Sequence, residues 1–436
     1  MLRREFLKTM TTIIGGTAVM GAGLSACRGV DEPGRGGSTA ESSAAADLRL
    51  GLYLPSARAE SATERFAGGL SAALGDGQAP LHPQPASPQL IIGDFDGRRR
   101  LRARPLREFV DQHDLDLVVV LANAADSEAL VEVVDRTRVP LIVATAGPEL
   151  PSPAVAEEPL IFVASMDAWH AHWASGAYCA RHLGRRGALV TSVHDAGYDA
   201  VFAFEQGFQA NGGAQLGIEF VDAPALPTTA DELAARLVQT RSEFVYALST
   251  SADSRPMWDR LGPRARRMGL PVVAGPFLGN SPEDARIDGA DALVAHRGWS
   301  AILPTQANRV LAGVFDEMNL GAPDAFAALG YDTGAWVLAG ANAVGEHAAR
   351  RPTGHEAIAA ALRSASFKGT RGRYRVDPTT GFARAPMHRE TLRVRGDGRL
   401  DSFRADPVEL PDELDSLLHK RRIGQRCGET RPYLPG

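Results

Sequence analysis

Few residues of this chain have the types and spacing to do chemistry, and most fail on local context. His170-x-His172 would place two imidazoles on one face of a strand, but the surrounding residues read as helix, where positions i and i+2 diverge. A ring-capping or surface pair is expected instead. His355-Glu356 lacks the second histidine, four residues after the first, that a zinc protease needs. His194-Asp195 has the types of a catalytic pair, yet it sits between an apolar run and a helix, where such residues turn the chain and cap the helix. There is no G-x-S-x-G elbow, no phosphate-cradling glycine loop with lysine, and no dinucleotide fingerprint after the first strand. No catalytic residue, metal or cofactor is assigned.

What remains is a set of small polar residues at strand ends, and the elements that place them are legible. Leu48, Leu50, Leu52 and Leu54 alternate with Arg49, Gly51 and Tyr53, the period of a strand. Leu90 to Gly93, Leu117 to Ala122, Leu141 to Ala144 and Ile161 to Ala164 are further strands. Helices intervene, one with Phe66, Gly69, Leu70 and Ala73 on its face, another beginning near Ser127 with Leu130, Val131 and Val134. The same alternation resumes with a helix over Trp169 to Leu183 and a strand over Ala188 to Val193. Val201, Phe204 and Phe208 then recur at i, i+3, i+7, and Asn211-Gly212-Gly213 stops that helix before a strand from Gly217. Glu232 to Thr240 and Arg255 to Met268 (helices) and Phe244 to Leu248, Pro271 to Gly275 and Asp291 to Val294 (strands) continue it. Val310, Leu311, Val314, Phe315 and Met318 mark one more amphipathic helix. Strands alternating with helices specify an α/β chain with doubly wound parallel sheets.

In open parallel sheets, ligands bind beyond the C-terminal strand ends. That rule selects Ser56, Asn123, Ala125, Asp126, Ser127, Thr145 and Ala146 in the first half, and Asp195, Tyr198, Ser249, Thr250 and Phe277 in the second.

Beyond these elements, His194-Asp195, Tyr198, the F-x-x-x-F of Phe204 and Phe208, and Asn211-Gly212-Gly213 resemble the second-lobe start of type I periplasmic binding proteins. The branched-chain amino-acid and amide receptors of ABC importers are the nearest in pattern, and the likeness runs from about Leu48 to Asp401. Asp199 departs from the glycine that usually follows the tyrosine. Gly330-Tyr331-Asp332 resembles a family motif that opens a helix, and Phe367-Lys368-Gly369 with Gly372-x-Tyr374-x-Val376-Asp377 resembles the third passage between lobes. The resemblance implies two lobes joined by a three-crossing hinge: residues 48–164 with 298–367, and 165–297 with 368–436. It implies a solute-binding protein, not an enzyme, that hands a small molecule to ABC permease subunits. A ligand sensor of the same fold, or an exported enzyme's accessory protein, is the alternative. Loops matching Ala125 to Ser127 and Thr145-Ala146 hold the ligand carboxylate in such proteins. In Gly275-Pro276-Phe277-Leu278-Gly279-Asn280, Phe277 stands where the branched-chain receptors carry the acid that pairs with the ligand's ammonium. A ligand without an α-ammonium, such as an amide or organic acid, is expected.

The totals agree with an exported binding protein. The 436 residues allow two or three lobes, and 47 basic against 52 acidic residues give no electrostatic support for nucleic-acid binding. Arg3-Arg4-Glu5-Phe6-Leu7-Lys8 resembles the twin-arginine export motif, and the apolar segment Met10 to Leu24 is shorter than the ~20 residues that span a bilayer. Leu24-Ser25-Ala26-Cys27 resembles a lipobox, so residues 1–27 read as a lipoprotein signal with lipidation at Cys27. Residues 28–47, rich in Gly, Ser and Ala, read as a flexible tether. A monomer held at the outer face of the membrane by its lipid is expected. Cys179 and Cys427 would be a disulfide or two free thiols, which spacing alone leaves open. The basic run Arg98 to Arg107 reads as a solvated helix start.

Overall fold

The computed structural model describes residues 48–56, 60–75, 88–97, 100–147, 149, 152–192, 199–220, 230–248, 262–278, 292–347, 354–394, 400–412 and 414–415. The export motif, Cys27, the tether and Cys427 lie outside these residues, as do Asp195, Tyr198, Ser249 and Thr250.

The first lobe runs β1 (Arg49–Ser56), α1 (Glu60–Leu74), β2 (Gln89–Asp96), α2 (Ala103–His113), β3 (Leu117–Leu121), α3 (Ser127–Thr137), β4 (Leu141–Thr145), α4 (Pro153–Glu157) and β5 (Ile161–Ser165). Every residue of β3, LVVVL, is buried, as a strand covered by helices on both faces must be. The second lobe follows with α5 (Ala168–His182), β6 (Arg186–Thr191), α6 (Ala200–Ala210), β7 (Gln215–Phe220), α7 (Ala230–Gln239), β8 (Val245–Leu248), β9 (Val272–Ala274) and β10 (Ala292–Arg297). The strand orders β2-β1-β3-β4-β5 and β7-β6-β8-β9-β10 are the same arrangement twice, and every pairing within them is parallel.

The chain then returns to the first lobe through α8 (Gln306–Glu317), α9 (Ala325–His347) and α10 (His355–Ser364). Helix α9 lies against α1 with backbones nearly touching. A Cβ on Gly330 would fall 1.9 Å from the Phe66 carbonyl, and one on Gly69 would fall 1.9 Å from the Ala327 carbonyl. Gly330-Tyr331-Asp332 therefore lies inside α9 rather than opening it. The helix starts five residues earlier because Ala325, Ala327, Ala328 and Leu329 already bury a face.

A second difference concerns the last passage. After the hairpin β11 (Lys368–Gly369) and β12 (Gly372–Arg373), β13 (Arg375–Val376) and β14 (Phe382–Arg384) join the first sheet. Phe382 and Ala383 are buried beside Val163 and Ala164 of β5, so the chain stays with the first sheet past the expected boundary at 367. Only at 385–386 does it cross, to β15 (Met387–Val394) and β16 (Leu400–Val408), which add antiparallel strands to β10. Among the described residues each of the two large sheets has seven strands.

The histidines of α5 pack on the rings of Trp169 and Tyr246, so of the two expected accounts the surface one fails. His170 and His172 are buried, because α5 is apolar or small nearly all round and is covered on most sides. His172 Nδ1 lies 2.5 Å from the Tyr246 hydroxyl, and His170 Nε2 lies 2.8 Å from Asp415 Oδ1. Burial lowers both imidazoles to a pKa of about 3. Cys179, on the same helix, is a buried free thiol. Arg104, in the basic run, is solvated and pairs with Glu108, as a helix start in water should. Among the described residues no helix is long and apolar enough to cross a membrane.

Candidate ligand site at the strand ends

Strands β3, β4 and β5 end side by side: β4 and β5 end in the polar residues Thr145 and Ser165, each held by its own turn, and β3 ends in Leu121, two residues before Asn123. After β3 the chain makes a 3-10 turn over Ala124–Asp126 before α3. Asp126 is used up by that turn: its carboxylate accepts the Leu101 N–H at 2.9 Å and the Asn123 N–H at 3.1 Å. Ser127 donates to the Ala124 carbonyl at 2.5 Å.

Thr145 and Ser165 are register partners at the ends of β4 and β5. Thr145 Oγ1 accepts the Gly147 N–H at 3.1 Å, and Ser165 Oγ accepts the Asp167 N–H at 2.8 Å. A hydroxyl that accepts a backbone N–H two residues on still has its own hydrogen to donate. The pair thus presents two positioned O–H donors at one sheet edge. Gly147 closes the turn at φ +69°, and a Cβ there would meet Ser165 Oγ at 2.5 Å, so glycine is required on both counts.

Asn123, Ser127, Thr145, Glu149, Ser152 and Ser165 line a cavity of about 30 Å³ whose apolar lining includes Leu130, Val143 and Val163. Three of the expected residues, Asn123, Ser127 and Thr145, are brought together here. Ala125 and Ala146 adjoin the cavity without lining it. Ser56 is directed elsewhere, donating to the Phe95 carbonyl of β2 at 2.7 Å. Phe277, just beyond β9, is half-buried and packs against the apolar cluster of the first lobe rather than that of its own. Sequence reasoning missed Ser165, Glu149 and Ser152. The signal for Ser165 was present, since it ends β5 as Thr145 ends β4.

The loop carrying Thr145 is tied to the first passage between lobes. The carbonyls of Thr145, Ala146 and Gly147 accept the N–H groups of Met166 (3.0 Å), Ala168 (3.4 Å) and Trp169 (3.0 Å). Around that passage sits a part-buried ionic cluster. Asp167 pairs with Arg384 at 3.1 Å, and Arg384 also pairs with Asp415. The second passage presses on the first, since a Cβ on Gly298 would lie 2.6 Å from the Met166 carbonyl. Asp332 of α9 accepts hydrogen bonds from Thr370, Arg371 and Tyr374, and its ion pair with Arg371 (3.1 Å) is almost wholly out of water. Burial pushes the Asp332 carboxyl above its ordinary range despite the guanidinium beside it. Arg297 and Glu390 form a third buried pair, 2.8 Å apart, linking β10 to β15. Among the described residues, no group of three or more His, Cys, Asp or Glu is placed to hold a metal ion.

With that geometry in hand, residues 89–391 match the family profile described as periplasmic binding protein. The fold is similar to an ABC transporter substrate-binding protein from Sphaerobacter thermophilus, at 20% identity and TM-score 0.69, covering 84% of this chain and 99% of that one. It is similar to a solute-binding protein of an ABC transporter from R. palustris in complex with benzoate (19% identity, TM-score 0.62, 84% and 98% covered). A third similar structure is an ABC-type branched-chain amino acid transporter from Rhodopseudomonas palustris CGA009 (15% identity, TM-score 0.64, 83% and 96% covered). At these identities the structures speak for the fold. No curated protein sequence matches the chain.

Proposed function

The chain belongs to the periplasmic binding protein family, and on that premise we propose that it is the solute-binding lipoprotein of an ABC importer, taking a small molecule with a carboxylate or amide head between its lobes. The observation that carries the reading is the Thr145–Ser165 pair, two oriented O–H donors at adjacent strand ends in the lining of one small cavity. Donors fixed by turns before the ligand arrives lose little entropy on binding, and they suit an oxygen-rich head group. Asn123 and Ser127 complete the head site, and the loops holding Asp195, Tyr198, Ser249 and Thr250 would supply the second lobe's share. Phe277 supports an apolar or aromatic body for the ligand, since it reaches from the second lobe to the first lobe's apolar cluster. Related folds in complex with benzoate, 3,4-dihydroxybenzoic acid and 4-hydroxybenzoate fit that body.

The tie between residues 145–147 and the first passage gives a route from binding to hinge closure, the means by which two lobes sequester a ligand. The lipobox at Cys27 and the tether would hold the protein outside the cytoplasm beside its permease, as a monomer. Mass spectrometry of the natively purified protein tests the reading: it should release a small carboxylic acid or amide. Release of a metal complex, a nucleotide or a sugar would overturn the assignment of the head site.

A further inference from the structure

Solvation accounts for Arg104 but not for the company it keeps. Five arginines fall within the seven positions 98–104, just before and into the first turn of α2. That is the end of a helix where the macrodipole favours acids and disfavours cations, and the first turn of α2 carries no acid. The cluster works against the helix it opens, so its use lies outside that helix.

The run is pinned at the edge of the strand-end site. Leu101 is buried, and its N–H donates to one oxygen of the Asp126 carboxylate at 2.9 Å, while the Asn123 N–H donates to the other at 3.1 Å. Asn123 in turn lines the cavity with Thr145 and Ser165. Arg100 and Arg102 stand on either side of Leu101. Both are exposed, and neither guanidinium has an ion-pair or hydrogen-bond partner among the described residues. Arg104 and Arg107, by contrast, pair with Glu108 and Glu132. Asp94, Asp96 and Glu108 are the acids of the same stretch, so six arginines stand against three acids between positions 94 and 108. A net charge in water is felt over about 8 Å at physiological ionic strength. Leu101 and Asn123 meet on one carboxylate, so the backbone carrying the two arginines lies within that order of distance of the cavity wall.

We propose that Arg100 and Arg102 form an electropositive rim that draws anionic ligands to the site, so that the solute is captured as its carboxylate anion rather than as a neutral amide. The inference rests on the head-site reading above and narrows it. Charges at a rim act at long range on the encounter, raising the association rate and its salt dependence, whereas buried contacts set how slowly the ligand leaves.

Stopped-flow association and dissociation of benzoate and benzamide, matched in shape and different in charge, tests this on the full-length protein stripped of co-purified ligand. Benzoate association should slow about threefold or more between about 20 and about 200 mM salt, while that of benzamide stays level. Arg100→Gln with Arg102→Gln should slow benzoate association about fivefold at low salt and remove most of its salt dependence. The same variant should leave benzamide association, and the dissociation of both ligands, unchanged. Thr145→Val, at the head site, should speed the dissociation of both ligands and leave their association alone. Benzamide binding alone, a benzoate association rate indifferent to salt, or an arginine variant that slows both ligands equally overturns the rim and leaves the head site standing. Binding of neither ligand overturns the head site and this inference with it.

Discussion

Asp167 and Arg384 pair at 3.1 Å where the first and third passages between the lobes run side by side. Asp167 is 5% exposed and holds a left-handed backbone at φ 51°, unusual for a residue with a side chain. Arg384 spans from it to Asp415 and lies over the rings of Trp169 and Phe382, 6.0 and 5.3 Å from their centroids. Removing the arginine leaves a buried carboxylate without its counter-charge. Arg384→Ala should cost about 2–4 kcal/mol, a little under the full range for a buried pair because the guanidinium is part-exposed. Urea unfolding measures it. In a double-mutant cycle with Asp167→Asn, a coupling below about 0.5 kcal/mol would contradict the pairing.

Acid should unfold this protein through its histidines. His170, His172 and His296 are each held near a pKa of about 3 by burial, whereas in the unfolded chain they titrate near 6.5. Above pH 6.5 all three are neutral in both states and contribute no pH dependence. As pH falls from 6.5 towards 3, the unfolded chain takes up protons that the folded one refuses, so stability is lost across that window. Near pH 5 the three sites together give a slope of up to about 4 kcal/mol per pH unit. His172→Asn should flatten the slope by about 1.4 kcal/mol per pH unit, measured as unfolding free energy between pH 4.5 and 7.5. An unchanged slope would mean that His172 is not buried neutral.

Two glycines in neighbouring helices should respond in opposite directions. Gly330→Ala places a methyl 1.9 Å from the Phe66 carbonyl, so α1 and α9 must part, at a cost of about 3 kcal/mol or more. Gly313 lies in α8 on an exposed face with nothing within 4 Å of its would-be Cβ. Gly313→Ala should therefore stabilise by about 0.5–1 kcal/mol through helix propensity alone. Thermal midpoints moving the same way in both variants would refute the close approach of α1 and α9.

How much of this was legible follows from what each signal depends on. β3 and β4 could be read because a strand buried on both faces must be apolar throughout, and LVVVL and LIVA leave little else to choose. β14 could not, because its three residues FAR gain strand character only from the β5 edge they meet. The helix of α5 was legible, but not which of the two accounts of its histidines would hold. Two polar residues in a helix suggest a wet face, whereas the partners that keep them dry, Tyr246 and Asp415, lie 74 residues and more away in sequence. The head site was half legible for the same reason. Asn123, Ser127 and Thr145 follow from the strand-end rule, but whether a hydroxyl is a donor or an acceptor depends on turns such as that from Ser165 to Asp167. Asp126 looked equivalent to its neighbours until its carboxylate proved committed to Leu101 and Asn123.

Membrane attachment is tested apart from the fold, since it rests on Leu24-Ser25-Ala26-Cys27 and the arginine pair before them. Cys27→Ala should shift the protein from the membrane fraction to the soluble exported fraction, because two or more acyl chains are needed for a stable anchor. Arg3→Lys with Arg4→Lys should block export of folded protein. Unchanged fractionation of the first variant removes the lipid anchor, and unimpaired export of the second removes the twin-arginine route.

The last prediction concerns the ligands this site should refuse. A branched-chain amino acid brings an ammonium and a carboxylate on one carbon, and both must be met when the lobes close. The resemblance puts Phe277 where such receptors carry an acid, and Phe277 packs on the first lobe's apolar cluster. Thr145 and Ser165 can donate to the carboxylate, but Phe277 offers the ammonium no counter-charge. A buried charge without a partner costs several kcal/mol even after relaxation, enough to weaken binding a thousandfold or more at about 1.4 kcal/mol per tenfold. Leucine, isoleucine and valine should therefore bind no better than about millimolar in calorimetric titration, as the loss of a typical micromolar affinity by that factor requires. An aromatic ligand should bind more tightly, and Phe277→Ala should weaken it about tenfold while leaving the unfolding transition cooperative. Micromolar leucine binding by the wild-type protein would show that an acid reaches the ammonium from elsewhere in the cleft, and the reading of Phe277 would fall with it.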